Sequence, residues 1–347
     1  MTMLMASPVK TPVAAKAADA RRRQILAWGL GIAALAVFPF VVYPLFAMKV
    51  LCFALFACSF NLLFGFAGLL SFGHAAYFGI ASYVTAESAK YWGLTPELSI
   101  LAGTAVAIVL GAAFGWLAIR RQGIYFSMIT LALAQMVFFF CLQAEFTGGE
   151  DGIQSVPRGD LFGLIPLGSH MAMYYFVMVV FLIGFLIIYR TINSPFGQVL
   201  RAVRDNDIKA TSLGIKTRHV KLAAFVISAG VAGLGGATKA LVFQLASLTD
   251  VSWQASGEAV LMTVLGGAGT LTGPVMGALI VTGMQQYLAQ FGSWVTIIQG
   301  AIFVVCVLAF RRGIVGELDR IAHLPAVWRR RRAERRFTPA PRPTTDF

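Results

Sequence analysis

The residues able to do covalent chemistry are few and poorly placed for it. Cys52, Cys58, Cys141 and Cys306 all lie inside apolar runs. None has the paired spacing or neighbouring histidine of a metal site, so they read as small core residues and no metal is expected. The sequence contains no G-x-x-x-x-G-K-[S/T], so its glycine-rich stretches lack the lysine that would reach a nucleotide phosphate. No catalytic residues and no cofactor are expected, and ATP hydrolysis, if coupled to this chain, belongs to another. What remains is non-covalent chemistry: backbone groups freed by glycine, one histidine in an apolar stretch, and a polar segment between apolar runs.

Two glycine-rich segments carry the first kind. NLLFGFAGLLSFGHAAYFG, from Asn61 to Gly79, contains Gly65, Gly68 and Gly73 together with Ser71 and His74. GGAGTLTGPVMGAL, from Gly266 to Leu279, contains Gly267, Gly269, Thr272 and Pro274. Both fit G-x-A-G-x-L-[S/T], at Gly65 to Ser71 and at Gly266 to Thr272. Two readings stand side by side. Small residues spaced four apart suit tight packing between membrane helices. Alternatively the glycines break a helix, and the freed amides and carbonyls face a cavity where a zwitterion binds in passing. Pro274 strengthens the second reading, since proline cannot donate an intrahelical hydrogen bond. Paired breaks in two halves of a chain point to a duplication around a central pathway, with chance similarity as the alternative.

His74 is the only histidine placed inside an apolar span, and an ionisable group there is a functional candidate. The plainer reading is a neutral imidazole bridging two helices. Glu87 and Lys239 fall near span ends, where long side chains reach the interface, and receive no role. The polar segment SPFGQVLRAVRDNDIKATSLGIKTRHV, from Ser194 to Val220, predicts one short amphipathic helix. Pro195 opens it, Val199, Leu200, Val203 and Ile208 form its apolar face, and Gly214 ends it in the left-handed conformation. Such a helix is either an interfacial anchor or a docking element set into a groove on a cytoplasmic partner, with Arg201, Arg204 and Lys209 at the groove's rim.

The elements that must position these groups follow from composition. The chain is 58% hydrophobic and 12% charged, whereas soluble domains carry about a quarter charged residues. Long apolar runs without strict alternation predict an all-α polytopic membrane protein instead of a β-barrel. The net charge of +13 does not signal nucleic acid, because the basic residues cluster at segment ends. Five lie in the N-terminal tail, two at Arg120 and Arg121, seven from Arg190 to Lys221 and ten from Arg311 onward. The positive-inside rule places all four groups, and both termini, in the cytoplasm. The loop from Glu145 to Asp160, with four acids and only Arg158, belongs outside.

Parity then favours ten spans, near 25–46, 47–66, 68–88, 97–119, 123–144, 171–190, 220–246, 258–267, 272–290 and 294–310, with eight as the competitor if the second glycine region is one bent span. The first run follows Arg21, Arg22 and Arg23 but is too long for a signal peptide's apolar region, so it reads as a retained span. The organisation is a basic cytoplasmic tail at 1–24, a transmembrane domain at 25–312 with its cytoplasmic segment at 194–220, and an Arg/Pro-rich cytoplasmic tail at 313–347. Both tails lack an apolar face and are expected to be disordered and to touch anionic membrane lipid.

NLLFGFAGLLSFGHAAYFGIASY, GGEDGI at Gly148 to Ile153, RAVRDNDIKATSLGI at Arg201 to Ile215, VKLAAFVISAGVAGLGGA at Val220 to Ala237 and VLGGAGTLTGPVMGA at Val264 to Ala278 resemble, in order and spacing, the branched-chain amino acid ABC transporter permease family. The resemblance covers about residues 50 to 312. It implies a type II ABC importer-like fold in a bacterial inner membrane, and a complex of two related permeases, two cytoplasmic ATP-binding subunits and a periplasmic substrate-binding protein. It also implies a degenerate coupling motif, E-A-A followed by three residues and glycine. Here that motif stands as Ile208, Lys209, Ala210 and then Gly214, with its first two positions departing from the pattern. The implied substrates are branched-chain amino acids, with urea, short amides or aromatic acids as alternatives within the family. An ion-coupled secondary transporter is the competing class, but it needs carboxylates in mid-membrane, and the acids fall in loops and at span ends. A channel would need a charged ring or filter-like carbonyl loop, and neither is apparent.

Overall fold

Proline and glycine set the helix ends. In a computed structural model of the chain, residues 28–161, 163, 165–291, 294–309 and 313–317 are described. The expected basic tail at 1–24 and the Arg/Pro-rich tail beyond residue 317 lie outside the described residues. A first helix, α1 (Trp28–Val41), precedes α2 (Pro44–Asn61), which has proline in its first turn, where the missing N–H costs nothing. A six-residue π-helix (Leu62–Ala67) prolongs α2, and Gly68, at φ 70°, stops it. There follow α3 (His74–Lys90), α4 (Pro96–Ala118) and α5 (Ile124–Gln143). After a loop come α6 (His170–Asn193), α7 (Pro195–Asp205), α8 (Asp207–Ser212), α9 (Thr217–Phe243), α10 (Trp253–Gly266), α11 (Gly273–Leu288) and α12 (Trp294–Ala309).

The fold is therefore mostly helical, and a helix stands at each of the ten stretches read as spans. Among the described residues five helical segments are long and apolar enough to cross a membrane: Pro44–Ala67, Pro96–Ala118, Ile124–Gln143, His170–Asn193 and Thr217–Phe243. The chain is a multi-pass membrane protein. The second glycine region does not continue as one bent helix, because α10 and α11 fold back on each other as a hairpin, with Gly277 against the carbonyl of Met262 and Gly266 against that of Gly273.

α2 and α9 form the middle of the bundle. α2 packs on α6, α9, α10 and α11, while α3 and α4 close over the other side of α9. The small residues of α9 allow this approach, as membrane helices require. A Cβ at Gly236 would strike the carbonyl of Phe78, and one at Gly233 the side chain of Ala107. α4 and α5 instead turn large apolar side chains outward, among them Leu101, Val109, Met128 and Phe139.

The two ends of the bundle differ as the charge pattern requires. At one end β1 (Ile153–Gln154) pairs antiparallel with β4 (Leu245–Ala246), so the acidic loop and the α9–α10 turn lie together. A second short pairing joins β2 (Asp160–Leu161) to β3 (Ile165–Pro166). Within GGEDGI, Gly148, Gly149 and Gly152 all take positive φ. At the opposite end Gln122 and Lys221 both donate to Asp207, and Arg120 lies over the ring of Trp116. The basic groups at 120–121 and 190–221 thus share one end, away from the acids.

Candidate functional site

The polar segment begins where Ser194 caps α7, its hydroxyl accepting from the Gly197 amide at 3.3 Å, with Pro195 in the first turn. Leu200 and Val203 are buried as expected. The single helix predicted for this segment, however, is two. At Asn206 the backbone leaves the helix (φ −159°, ψ 98°), and its side chain caps α8 by accepting from the Lys209 amide at 2.9 Å. An asparagine satisfies an otherwise orphaned amide there, so breaking the helix is cheap. The break turns Ile208 off the buried face: it is 80% exposed, and Leu213 is 81% exposed. Ala210 is buried, Lys209 is exposed, and Gly214 takes the predicted left-handed conformation at φ 84°. Its amide bonds the Thr211 carbonyl, and that of Ile215 reaches the Ala210 carbonyl.

Arg201 and Arg204 do not point away from the bundle. Arg204 Nη1 donates to the Gly65 carbonyl at 2.7 Å, its Nε and Nη2 bond the neighbouring Asp205, and its Cγ lies 2.8 Å from where a Cβ on Gly68 would sit. The Arg201 guanidinium lies 5.2 Å from the centre of the Phe66 ring. Both side chains therefore reach the π-helix and its glycine stop. Gly65 lies in the last turn before the Gly68 stop, where helix carbonyls lack an intrahelical partner, and it offers its carbonyl to a cation.

One helical turn away, Asn61 joins the two glycine segments. Its Nδ2 donates to the Thr270 carbonyl at 2.7 Å, and its Oδ1 accepts from the Gly269 amide at 2.8 Å. Backbone meets backbone here: a Cβ added to Gly65 would overlap Asn61 Oδ1 and the Gly269 amide, and would lie 2.8 Å from Gly269 Cα. Gly267 and Gly269 have positive φ, at 123° and 77°, and Gly313 packs on the Gly267 backbone. Thr270 ties the turn, donating to the Gly267 carbonyl and accepting from the Gly273 amide. Tight packing and helix breaking are thus the same feature, since breaks at Gly68 and Gly267 let the two segments touch.

The remaining candidates are elsewhere. Ser71 is buried and accepts from the Gly73 amide, and a Cβ on Gly73 would approach the Thr130 carbonyl to 2.5 Å. Pro274 is buried in the first turn of α11, while Thr272 is exposed. His74 bridges helices, as its plainer reading expects. Its Nε2 lies 2.7 Å from Ser228 Oγ, whose hydroxyl donates to the Ser59 carbonyl at 2.6 Å. A hydroxyl has one proton, so Nε2 must donate and Nδ1 carries the lone pair.

Outside the spans, Asp207 fixes the polar segment to its surroundings through Lys221 Nζ at 3.0 Å and Gln122 Nε2 at 2.6 Å. Burial pushes its carboxyl up, but the bonds from Lys221 and Gln122 and the lysine charge outweigh this and hold it below its ordinary 3.8.

Lys239 requires a correction. It does not reach the interface: it is 8% exposed and pairs with Asp250, itself 6% exposed. The α9–α10 turn folds Asp250 back over the end of α9, which supplies the ion with a partner inside the protein. The sequence carried a signal for this, a lone lysine near the end of an apolar helix with an aspartate just beyond the turn.

Residues 44–307 match the family of branched-chain amino acid transport system permease components. The permease protein LivM of the high-affinity branched-chain amino acid transport system of Escherichia coli (strain K12) is 25% identical over 278 residues, 74% of this chain and 65% of that protein. LivH of Salmonella typhimurium is 25% identical over 293 residues (78% of this chain, 93% of the relative), and BraD of Pseudomonas aeruginosa is 24% identical over 293 residues (78% and 94%). The chain thus spans about two thirds of the length of the LivM protein it matches, at 65%. No solved structure matches the chain.

Proposed function

Because the chain belongs to the family of branched-chain amino acid transport system permease components, we propose that it is the membrane-spanning permease subunit of an ATP-driven importer for branched-chain or related amino acids. In this reading it pairs with a second related permease in a bacterial inner membrane and receives substrate from a periplasmic binding protein. Two cytoplasmic ATP-binding subunits drive it. It crosses the membrane ten times, with both termini in the cytoplasm. Its substrates are branched-chain amino acids, or urea, short amides or aromatic acids, because selectivity rests largely with the binding protein.

The observation that carries the reading is the unbroken path of contacts from the polar segment to the crossing of the two glycine breaks. Exposed Ile208 and Leu213 offer apolar knobs to an ATPase groove, with Lys209 beside them. Behind them α7 is bonded through Arg204 to Gly65, and Asn61 one turn away holds Gly269 and Thr270. A rigid contact of this kind converts motion of a partner into motion of the spans. It also gives Arg204 a different job from the rim contact the sequence suggested, since it transmits inside the permease.

The test is uptake and ATP hydrolysis by the whole complex in proteoliposomes. Arg204→Glu places a carboxylate against the Gly65 carbonyl and is expected to abolish uptake and the stimulation of hydrolysis by loaded binding protein, with the ATPases still attached. Unchanged coupling would overturn the docking assignment and leave an interfacial anchor. Uptake driven by an ion gradient without ATP would replace the importer reading with a secondary carrier.

A further inference from the structure

At the end opposite the polar segment, α2, α3, α5, the α9–α10 turn and the first half of α10 line a half-open cavity of about 720 Å³. Phe53, Phe78, Phe138 and Trp253 supply aromatic wall, and Asp250 and Glu258 supply the charges. The volume and the mixture of aromatic surface with a few polar groups are those of a small-molecule site.

The two carboxylates are each half engaged. Lys239 Nζ and Ser247 Oγ both donate to Asp250 Oδ2, and no hydrogen bond among the described residues reaches Oδ1. Glu258 accepts from Gln285 at Oε1, and likewise no such bond reaches Oε2. Lys49 lies within electrostatic range of Glu258, and Asp250 does too. The cations therefore stand behind the wall: neither Lys239 nor Lys49 lines the cavity, while both carboxylates do. The surface facing a ligand is anionic and aromatic although the cluster as a whole is balanced.

We propose that this cavity is the permease's own site for an amino acid released by the binding protein, with Asp250 Oδ1 and Glu258 Oε2 receiving the α-ammonium and the phenylalanines receiving an aliphatic side chain. The inference rests on the importer reading and deepens it by naming the group recognised. An ammonium in a carboxylate-lined, partly dehydrated cavity gains charge-assisted hydrogen bonds. An aliphatic side chain gains apolar contact without further polar partners.

The experiment is saturation-transfer NMR on the intact complex in nanodiscs, without binding protein, using L-leucine, 3-methylbutylamine and 4-methylpentanoate as probes. L-Leucine and the amine are expected to show binding, and the carboxylate, which lacks the ammonium, is not. Glu258→Gln keeps an acceptor for Gln285 and is expected to weaken both ammonium probes by about tenfold, the scale of one charge-assisted bond. Glu258→Asp, which retains the charge, should bind the amine more tightly than Glu258→Gln does. Equal binding of amine and carboxylate, or a Glu258→Gln complex indistinguishable from wild type, overturns the site. Those results leave the importer reading intact if the wild-type complex takes up substrate in proteoliposomes. Absence of that uptake sinks the importer reading, whatever the cavity binds.

Discussion

Among the described residues one side chain, that of Asn61, hydrogen-bonds across the crossing of the glycine segments, which makes its contribution calculable. Asn61 is 2% exposed and makes two hydrogen bonds, one to the Thr270 carbonyl and one from the Gly269 amide. Asn61→Ala removes both. At about 1 kcal/mol net for each bond the loss is about 2 kcal/mol, and the half-buried partners left unpaired can only add to it. On that figure alone, the equilibrium for parting the two segments shifts by about 30-fold. Cys58 lies buried in α2 one turn before Asn61, next to Ala57, whose carbonyl accepts from Thr263 of α10. Its reaction with N-ethylmaleimide, in a chain whose Cys52, Cys141 and Cys306 are replaced by alanine, reports that opening when reclosing is fast relative to modification.

The expected result is labelling of Cys58 about 30-fold faster in the Asn61→Ala variant, the shift derived above. Gly65→Ala should act in the same direction, because its methyl would sit 2.8 Å from Gly269 Cα and overpacking costs about 1–3 kcal/mol. Gly257→Ala is the control: a Cβ there meets nothing within 4 Å, and labelling should not change. Rates that stay within about threefold of wild type for both Asn61→Ala and Gly65→Ala would refute the view that this crossing is a closed contact held by Asn61, since about 0.7 kcal/mol is all they would represent.

Gly214 sits at φ 84° with open space around its Cβ position, so substitutions there act through the backbone alone. Asparagine should be tolerated, alanine should weaken coupled uptake, and valine should weaken it most; the opposite order would show that the left-handed end of α8 is irrelevant to docking. Asp207 has a depressed folded value, so its contribution is complete above the ordinary 3.8 and is lost only as pH falls through the lower folded value. Amide exchange of residues 207–216, corrected for intrinsic rate, should therefore keep the same protection from about pH 5 to 8 and lose it in Asp207→Asn; a protection step inside that range would contradict the assignment. Single cysteines at Gln154 and Ser252 should react with an impermeant thiol reagent from the periplasm and one at Ser212 should not, and labelling of Ser212 from outside would invert the topology.

What the sequence discloses here is whatever is decided within a few residues. Pro44, Pro96, Pro195 and Pro274 open helices because a missing N–H is harmless only in a first turn. Gly68, Gly214 and Gly269 take positive φ, where other residues are strained. The break at Asn206 was equally local: asparagine followed by aspartate is an N-cap with an acid in the first turn, and the run of apolar residues through Ile208 concealed it. Long-range pairs are another matter. Arg204 and Gly65 are 139 positions apart, and Asn61 and Gly269 are 208 apart. An arginine on a cytoplasmic helix reads equally well as a rim contact or as an inward one until the bundle brings a free carbonyl beneath it. The cavity at the far end was hidden for the same reason, being assembled from four helices and a turn.

The same two helices connect the two sites. α2 carries Phe53 in the cavity wall, and its π-helical extension carries Gly65 at the crossing, twelve positions further on. At a rise of 1.5 Å per residue that is about 18 Å of helix. α10 carries Glu258 near its middle and Gly266 at its end, eight positions later. A displacement of α7 enters through Arg204 at the π-helix, whose widened turn is the least regular part of α2 and so the part that rearranges at least cost. Since α2 is otherwise largely buried within the bundle, it cannot bend freely elsewhere. On the importer reading the motion passes along it as a shift or rotation of the whole helix, and α10 follows because Thr263 bonds it to the Ala57 carbonyl of α2, while Asn61 holds the turn that follows α10. Phe53 and Glu258 would ride on these two bonded helices, so a shift of the pair against α3 and α5 would change their spacing from Phe78 and Phe138 across the cavity. If the importer reading and the proposed cavity site hold, one mechanical input at the end carrying α7 would both reshape the cavity at the far end and strain the backbone contact at the glycine crossing.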